Sequence, residues 1–267
     1  MLGVSGELTE IDEQALLTIA QEAAQAAAAE LTGRFGHRVG GVRAKSGPTD
    51  LVSDADLAAE AAIRSVLAQR RAGDAILGEE GGASGDGELR WVVDPLDGTI
   101  NFLFGIPTFA VSVACEDAAG AIVGVVLDPS REESFAATRS GRATLNGEPI
   151  RAPLRDELAT AMVATGFSYD AKVRARQAQV LSQVLPRVRD IRRAGAAAID
   201  LAWCAIGRHD AFYERGLNAW DVAAGCLIVT RAGLEVRDLA PTALEPGGVL
   251  VAPPALIDEL HRLVTIA

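Results

Sequence analysis

The chain has 267 residues, with 36 acidic against 25 basic side chains and a formal net charge of -11. With 49% hydrophobic residues it can bury a sizeable core, in roughly one to two domains. Because nucleic acids and membrane surfaces are themselves anionic, the charge argues against general binding to either and favours small-molecule chemistry.

The chain is expected to be a cytoplasmic protein. No apolar run approaches the ~18 residues of a membrane span, and residues 1–10 carry no basic side chain, so neither export nor membrane insertion is expected. The cysteines lie singly in apolar surroundings and are expected to be buried, reduced thiols: Cys115, Cys204 and Cys226. The histidines match no motif and are expected to be structural or surface residues: His37, His209 and His261.

The N-terminal part predicts two helices. Thr9, with Asp12 three residues later, is a candidate N-cap for an alanine-rich helix that runs to about Leu31. A second helix is expected after Asp54 as a candidate cap. Its apolar residues recur at helical spacing on one face: Ala59, Ala62, Ile63, Val66 and Leu67.

The middle of the chain predicts a sheet. Short apolar runs at 75–77 and 90–93 indicate strands, and each ends in acids that would lie at the rim of the sheet. Asn146-Gly147 is typical of a hairpin turn. Three β-branched, apolar runs predict antiparallel strands: 108–115, 121–127 and 134–138.

The second half alternates helices and strands, which predicts an α+β organisation with two sheets. Pro253 and Pro254 suit the first turn of a last helix. Helices are predicted over about 171–185, 195–206, from Asp221 onward and over 255–264. Strands are predicted near 188–193, 210–213, 234–236 and 249–251.

The run Asp94-Pro95-Leu96-Asp97-Gly98-Thr99 places two carboxylates three residues apart, directly after an apolar strand. Carboxylate and carbonyl oxygens at this spacing can converge on hard cations. If Gly98 and Thr99 open a helix, their backbone N–H groups face an anion. Cations beside an anion pocket suggest phosphate, and the alternative is an ordinary turn.

Three other polar segments have a functional and a structural interpretation. Gly78-Glu79-Glu80 ends a strand with paired acids but would also suit a solvated loop. Trp220-Asp221 opens a helix, where Asp is a good N-cap. Residues 45–56 form a polar loop that enters a helix, and capping alone could explain them.

Together these segments resemble the inositol monophosphatase family of metal-dependent, lithium-sensitive phosphatases. The resemblance spans about Leu8 to Val264, and its nine-residue run DPLDGTINF is highly specific. The matching segments, in family order and spacing, are 45–56, 78–80, 94–102 and 220–225. Residues 192–195 and 210–216 resemble the bacterial inositol-1-monophosphatase branch.

The resemblance implies an α+β fold, a layered α/β/α/β/α sandwich of the inositol monophosphatase and sugar phosphatase type. Residues 1–267 would form a single phosphatase unit. Within it, 1–150 would be an α+β subdomain with the larger antiparallel sheet and most metal ligands, and 151–267 an α/β subdomain with a smaller mixed sheet.

The resemblance further implies two to three Mg²⁺ per active site, with Li⁺ as an inhibitor. Glu79, Asp94 and the Leu96 carbonyl would hold the first ion. Asp94, Asp97 and Asp221 would hold the second, and Glu79 with waters the third. Four carboxylates packed this closely would repel one another without cations.

It also implies direct in-line attack of a metal-activated water on phosphorus, without a phosphoenzyme. The catalytic residues would be Thr99, hydrogen-bonded to Asp56, and Glu79. The phosphate would bind the amides of Gly98 and Thr99, and the polyol hydroxyls would contact Asp97, Glu214 and the backbone amide of Ala197. Lys45 either supports the phosphate-side loop or is a solvated surface lysine.

The implied function is that of a Mg²⁺-dependent phosphomonoesterase for myo-inositol 1-phosphate and related polyol phosphates. A small phosphate ester as substrate and a homodimer are implied, and no nucleic acid or membrane partner is expected. Ala196 replaces the Ser or Thr more frequent in the family and Asn218 occupies a variable position, so the leaving-group preference stays open.

Two alternatives remain. Sister branches of the family hydrolyse fructose 1,6-bisphosphate, histidinol phosphate, 3′-phosphoadenosine 5′-phosphate or NADP with the same metal ligands. A regulatory binding protein with vestigial activity is disfavoured, because such a protein would have lost at least one ligand and this chain retains them all.

Overall fold

Two helices, α1 (Glu13–Thr32) and α2 (Asp54–Arg70), open the computed structural model, which describes residues 11–37, 40–47, 50–243 and 245–265. Asp12 is the N-cap of α1 and accepts the Ala15 N–H at 2.9 Å. The predicted cap Thr9 lies outside the described residues. Ser53 rather than Asp54 caps α2, because its hydroxyl accepts the Ala55 N–H.

An eight-stranded sheet follows a short antiparallel hairpin of β1 (Arg43–Gly47) and β2 (Asp50–Val52). Its strands are β3 (Ala75–Gly78), β4 (Gly82–Ser84), β5 (Arg90–Asp97), β6 (Ala110–Asp117), β7 (Gly120–Asp128), β8 (Glu133–Thr138), β9 (Thr144–Leu145) and β10 (Glu148–Pro149). The order is β10-β9-β8-β7-β6-β5-β3-β4. Neighbouring strands are antiparallel except β3 and β5, which run parallel. The helix α3 (Thr99–Leu103) follows β5 directly.

A five-stranded mixed sheet forms the second half, in the order β12-β11-β13-β15-β14. Its strands are β11 (Met162–Thr165), β12 (Asp190–Arg192), β13 (Ala211–Arg215), β14 (Glu235–Leu239) and β15 (Gly248–Ala252). Its helices are α4 (Ala171–Val184), α5 (Ala197–Cys204), α6 (Ala219–Ala232) and α7 (Ile257–Val264). The predicted start of α6 at Asp221 was wrong by two residues. The helix begins at Ala219, because Asn218 is its N-cap.

Three apolar cores hold five layers together and confirm the α/β/α/β/α sandwich, because the second core spans two of the four layer contacts. The first core joins α1 and α2 to one face of the large sheet, where Trp91 and Val93 point. The second joins the opposite face, which includes Val92, to α5, α6 and the small sheet. The third lies between the small sheet and α4 with α7. Alternation along β5 thus divides its side chains between two cores.

Helices α5 and α6 fill the layer between the two sheets. A Cβ at Gly124 would lie 2.8 Å from the Cα of Ala224, so β7 and α6 are in backbone contact. The large sheet ends at Pro149 and the small one begins at Met162. A subdomain division near residue 150 falls in that gap and stays a prediction.

None of the described helices has the length and apolar character needed to cross a membrane. Cys115 and Cys204 are buried, Cys226 is half-buried, and all three are free thiols. His209 is buried and His37 is exposed.

Candidate active site

The parallel pairing of β3 with β5 brings two carboxylates to one rim. Gly78 lies opposite Val93, and the Glu79 N–H donates to the Val93 carbonyl at 3.3 Å. The next residue of β5 is Asp94, which is 1% exposed. Because parallel strands end at the same edge of a sheet, Glu79 and Asp94 lie together there.

A β-bulge turns Asp97 toward the same cavity. Asp94 pairs with Ser112 of β6 and Asp97 with Ala110, so three steps along β5 match two along β6. Side chains three residues apart on a regular strand point to opposite faces, and one extra residue reverses that alternation. Asp94 and Asp97 therefore line one cavity.

The start of α3 supplies backbone N–H groups and a hydroxyl. Gly98 is its N-cap with φ of 91°, and a Cβ there would lie 2.9 Å from the Thr108 carbonyl oxygen. No side chain caps this helix start, so its amides are free to meet an anion. Thr99 Oγ1 lies 2.8 Å from Asp56 Oδ1 and 3.1 Å from the Leu96 carbonyl oxygen.

Helix α5, from the second half, is tied to the same rim. Asp97 accepts the N–H groups of Ala197 at 3.2 Å and Ala198 at 2.7 Å. Ala197, predicted to contact substrate through its amide, lines the cavity with that amide directed to Asp97. Asp97 thus caps α5 from the other sheet.

Asp221 and Glu214 complete the cavity from α6 and β13. The Asn218 N–H donates to Asp221 Oδ2 at 2.6 Å, which fixes this carboxylate in the first turn of α6. Glu214 fills space that a side chain at residue 166 would occupy, since a Cβ at Gly166 would lie 2.0 Å from the Glu214 Cδ.

Burial and mutual repulsion raise the pKa values of four carboxyl groups in the cavity. Burial, and then the charges of Glu79, Asp97 and Asp221, hold the pKa of Asp94 well above its usual range. Burial and the charge of Asp221 raise the pKa of Asp97 to about 8. Burial and the charge of Glu79 raise the pKa of Asp221 to about 7. Burial and nearby acids also raise the pKa of Glu214, to about 8.

Lys45 contacts this acidic wall directly. Its Nζ donates to Glu79 Oε1 at 2.7 Å and to Glu80 Oε1 at 2.5 Å. Burial alone would lower the pKa of Lys45, but Glu79 and Glu80 raise it above its usual range. Burial raises the pKa of Glu80 to about 7 despite this ammonium partner. Of the two interpretations of Lys45, the structure supports the one in which it supports the loop.

The donor set fits a hard cation. The cavity measures about 480 Å³, and carboxylate oxygens and the Leu96 carbonyl are the ligands such cations prefer. Among the described residues, no three His, Cys, Asp or Glu side chains are already placed to close around one ion. The carboxylates would therefore draw together around a cation, which would also relieve their mutual repulsion.

The sequence analysis assigned no role to two residues of this region, one that lines the cavity and one that lies behind it. Arg193, noted only as part of a branch motif, lines the cavity, and its charge lowers the pKa of Glu214. Glu60 contacts the turn that carries Glu79 and is 3% exposed. An acid on the buried face of α2, next to Ala59 and Ile63, was the available signal for Glu60.

The cavity combines oxygen ligands for cations with an uncapped helix start that can bind an anion. This combination is typical of metal-dependent phosphatases. The layered fold and the cavity define this class.

Comparison with known proteins gives the family. The model of the inositol monophosphatase family matches residues 12–265. Inositol-1-monophosphatase SuhB of Mycobacterium tuberculosis H37Rv is 43% identical over 265 residues, covering 92% of this chain and 91% of that protein. The chain therefore belongs to the inositol monophosphatase family and is an enzyme, a phosphatase.

Two other similarities extend this result. The Nus factor SuhB of Pseudomonas aeruginosa PAO1 is 46% identical over 200 residues, covering 71% of this chain and 72% of that protein. The crystal structure of the extragenic suppressor protein suhB from Bartonella henselae superposes with a TM-score of 0.87 at 35% identity, covering 94% of this chain and 98% of that one.

Proposed function

We propose that this enzyme hydrolyses myo-inositol 1-phosphate and related polyol phosphates and requires Mg²⁺. The observation that carries the proposal is a single cavity that brings together the carboxylates predicted to bind cations and the residue predicted to bind a polyol. Glu79, Asp94, Asp97 and Asp221 line this cavity and suit cations, and Glu214 lines the same cavity, where a polyol would contact it. The 43% identity to inositol-1-monophosphatases supports the same substrate.

Two to three Mg²⁺ would be held in the cavity. Glu79, Asp94 and the Leu96 carbonyl would hold one, Asp94, Asp97 and Asp221 a second, and Glu79 a third, looser ion. Bound Mg²⁺ would balance the carboxylate and phosphate charges and make a water molecule a stronger acid. Li⁺ is expected to inhibit.

Thr99 and Asp56 would orient the attacking water. Asp56 is fully buried, and its Oδ2 accepts from the backbone and hydroxyl of Ser53 at 2.8 and 2.6 Å. Its Oδ1 is left to accept the Thr99 hydroxyl proton. Thr99 Oγ1 can then accept a hydrogen bond from the water. Glu79 can take the water's other proton as the water oxygen bonds to phosphorus. The ester P–O bond breaks, the leaving oxygen takes a proton from solvent water, and Glu79 returns its proton to solvent, so that no net proton is consumed.

The remaining contacts set binding and preference. The Gly98 and Thr99 amides would hold phosphate oxygens at the start of α3. Glu214 would accept hydrogen bonds from ring hydroxyls, so a substrate without them would leave a buried carboxylate unpaired. Asp97 and the region of Ala197 would border the same hydroxyls.

Phosphate release from a panel of esters tests the proposal. The panel contains myo-inositol 1-phosphate, 2′-AMP, fructose 1,6-bisphosphate, histidinol phosphate, 3′-phosphoadenosine 5′-phosphate and NADP, each with and without Mg²⁺ and Li⁺. Mg²⁺-dependent, Li⁺-inhibited release led by inositol 1-phosphate is expected. A different leading substrate would move the enzyme to a sister branch, and no release from any ester would overturn the proposal.

The enzyme is further proposed to be a cytoplasmic homodimer. Phe104, 75% exposed, and Ile106, 47% exposed, lie just after α3 and give an apolar surface that a second copy could cover. Light scattering after size-exclusion chromatography at several concentrations measures the mass, and a monomer at all of them would exclude the dimer.

A second candidate function is a regulatory binding role, and the similarity to a relative named Nus factor SuhB favours it. Such a role would be binding and could coexist with catalysis. The net charge of -11 disfavours RNA as the direct contact. A gel shift with RNA at low and high salt decides this, since electrostatic binding to RNA must weaken as salt rises.

A further inference from the structure

Helix α2 presents a row of three polar side chains toward the active site. Asp56, Glu60 and Arg64 are spaced four residues apart, so they lie on one face of the helix. Asp56 contacts Thr99, as described above. Glu60 and Arg64 have no part in the proposed chemistry, although Glu60 is a carboxylate buried to 3% exposure.

Glu60 binds the turn that carries Glu79, here called the Glu79 turn (residues 78–82). Glu60 Oε2 accepts the Glu80 N–H at 2.7 Å, and Glu60 Oε1 accepts the Gly81 N–H at 2.8 Å. A buried carboxylate that accepts two backbone N–H groups forms charge-assisted bonds, which are stronger than neutral ones. The two amides directly after Glu79 are thus fixed to α2.

Arg64 binds both Glu60 and residues at the end of the Glu79 turn and just beyond it. Its Nε donates to Glu60 Oε1 at 2.7 Å, which balances the buried charge. Its two terminal nitrogens donate to the Gly82 carbonyl at 2.8 Å and to the Ser84 hydroxyl at 2.9 Å. One guanidinium therefore joins Glu60, the end of the Glu79 turn and β4.

The glycines of the Glu79 turn match this packing. A Cβ at Gly78 or at Gly81 would lie 2.5 Å from Glu60 Oε1, closer than atoms can approach. The same Cβ atoms would lie 2.9 and 2.8 Å from a terminal nitrogen of Arg64. The turn backbone thus lies directly on the Glu60–Arg64 pair, with no room for a side chain between them.

We propose that Glu60 and Arg64 form a clamp that fixes the Glu79 turn, and that Glu60 is a positioning residue acting through Glu79. The proposal rests on the proposed function in one respect, the assignment of Glu79 to Mg²⁺. Glu79 lies close to the other acids of the cavity and is repelled by them. Without the clamp, the Lys45 ammonium and the Glu79 N–H bond to Val93 would still oppose that repulsion, but the metal would have to order the rest of the turn as it binds.

Two variants and a matched control test the clamp. Glu60→Gln keeps the shape but turns an amide NH₂ toward a backbone N–H, and Arg64→Ala removes the guanidinium from a side chain that is 25% exposed. Arg70→Ala changes an arginine on the same helix that contacts Glu22 of α1 instead. Hydrogen exchange of the Glu80 and Gly81 amides in metal-free protein, and Mg²⁺ affinity by calorimetry, are measured for all.

Both clamp variants should lose about tenfold or more in protection of the Glu80 and Gly81 amides, as expected for a charged hydrogen bond. Their Mg²⁺ dissociation constant should rise about tenfold, as for other residues that position a metal ligand, while kcat at saturating Mg²⁺ changes little because Glu79 itself remains. Arg70→Ala should match the parent in all three. Because Arg64 is partly exposed, its loss should be tolerated by the fold. Arg64→Ala therefore tests the clamp even if Glu60→Gln does not fold.

Unchanged amide protection and unchanged Mg²⁺ affinity in the clamp variants would overturn the proposal. Equal losses in Arg70→Ala would also overturn it, because they would reflect general weakening of α2. Failure of the proposed function looks different: the parent itself would neither bind Mg²⁺ nor release phosphate. The exchange data on metal-free protein would still show whether the clamp holds the turn.

Discussion

Asp94 is the carboxylate of the site that is buried next to three other acids. It is fully buried among Glu79, Asp97 and Asp221, and its pKa lies well above its usual range for that reason. Asp94→Asn should abolish turnover, by more than about 100-fold, since even the partners of metal ligands contribute about 10- to 100-fold. Mg²⁺ binding should weaken, and the fold should persist because a neutral amide relieves repulsion.

Phosphate release, calorimetric Mg²⁺ titration and circular dichroism measure these effects. Asp86→Asn is the matched control. Asp86 is exposed, and its substitution removes the same charge at a position outside the cavity. Retained activity of Asp94→Asn at saturating Mg²⁺ would exclude the role of Asp94 as a bridge between two ions.

Glu214 is the residue expected to set the preference for polyols. Its carboxylate fits the space left by Gly166 and lines the cavity that the proposed metal ligands also line. Glu214→Gln should lower kcat/KM for inositol 1-phosphate by about 10- to 100-fold, as for loss of a buried polar contact, and change an aryl phosphate far less.

A panel of polyol and aryl phosphates measures the ratio directly. Glu235→Gln, at an exposed position of β14, serves as the control. Equal losses on every substrate would show that Glu214 does not discriminate between leaving groups.

At the scale of the elements, the start of α3 depends on a glycine. Gly98 combines a positive φ with a close approach, since its Cβ would lie 2.9 Å from the Thr108 carbonyl oxygen. Gly105 provides a matched comparison, because its φ is +71° but nothing lies within 4 Å of its Cβ. Gly105→Ala should destabilise the fold by about 1–2 kcal/mol through the left-handed conformation alone.

Gly98→Ala should destabilise it by more than that and should also displace the Thr99 hydroxyl from Asp56. Urea unfolding gives the two free energies, and phosphate release shows which variant loses activity. Activity is expected to persist in Gly105→Ala. If Gly98→Ala were as stable and active as Gly105→Ala, the close approach to Thr108 would have no consequence.

Elements with strong local patterns could be predicted from the sequence. The stripe of α2 is confirmed at Ala59, Ile63 and Leu67, all fully buried. The Asn146-Gly147 turn is confirmed by φ angles of 50° and 83°, which only turns of this kind require. The run 108–115 is confirmed as part of an antiparallel strand, shifted by two residues.

Elements determined by distant partners could not be predicted. The strand β11 (Met162–Thr165) has four residues and an ordinary local pattern, and it pairs with β12 and β13 far along the chain. The bulge between Asp94 and Asp97 depends on pairing with β6. The site carboxylates were expected from a sequence motif, whereas Glu60 acts through backbone contacts that no motif recorded.

At the scale of the whole molecule, the cavity exists only where the two halves meet. Asp94 and Asp97 belong to β5 of the large sheet, Glu79 lies in the turn after β3, and Asp221 comes from α6 of the second half. Asp97 joins them physically by accepting the first N–H groups of α5. Metal binding and packing of the two halves should therefore support each other.

This coupling predicts how the stability of the metal-free protein depends on pH. Asp97, with a pKa of about 8, and Asp221, with a pKa of about 7, both lie above the ordinary value near 4 that they regain on unfolding. Between about pH 4 and pH 8 the folded state therefore binds more protons than the unfolded state. The free energy of unfolding should fall as the pH rises through that window.

Mg²⁺ should reverse the trend, because it binds the ionised carboxylates of the folded protein and not the unfolded chain. The stabilisation by Mg²⁺ should be small near pH 5 and large near pH 8, with protons released on binding. Urea unfolding at several pH values with and without Mg²⁺ measures both curves, and Asp94→Asn should flatten the difference between them. Parallel curves would mean that these carboxylates are already ionised in the metal-free fold, so that Mg²⁺ binding would not displace protons.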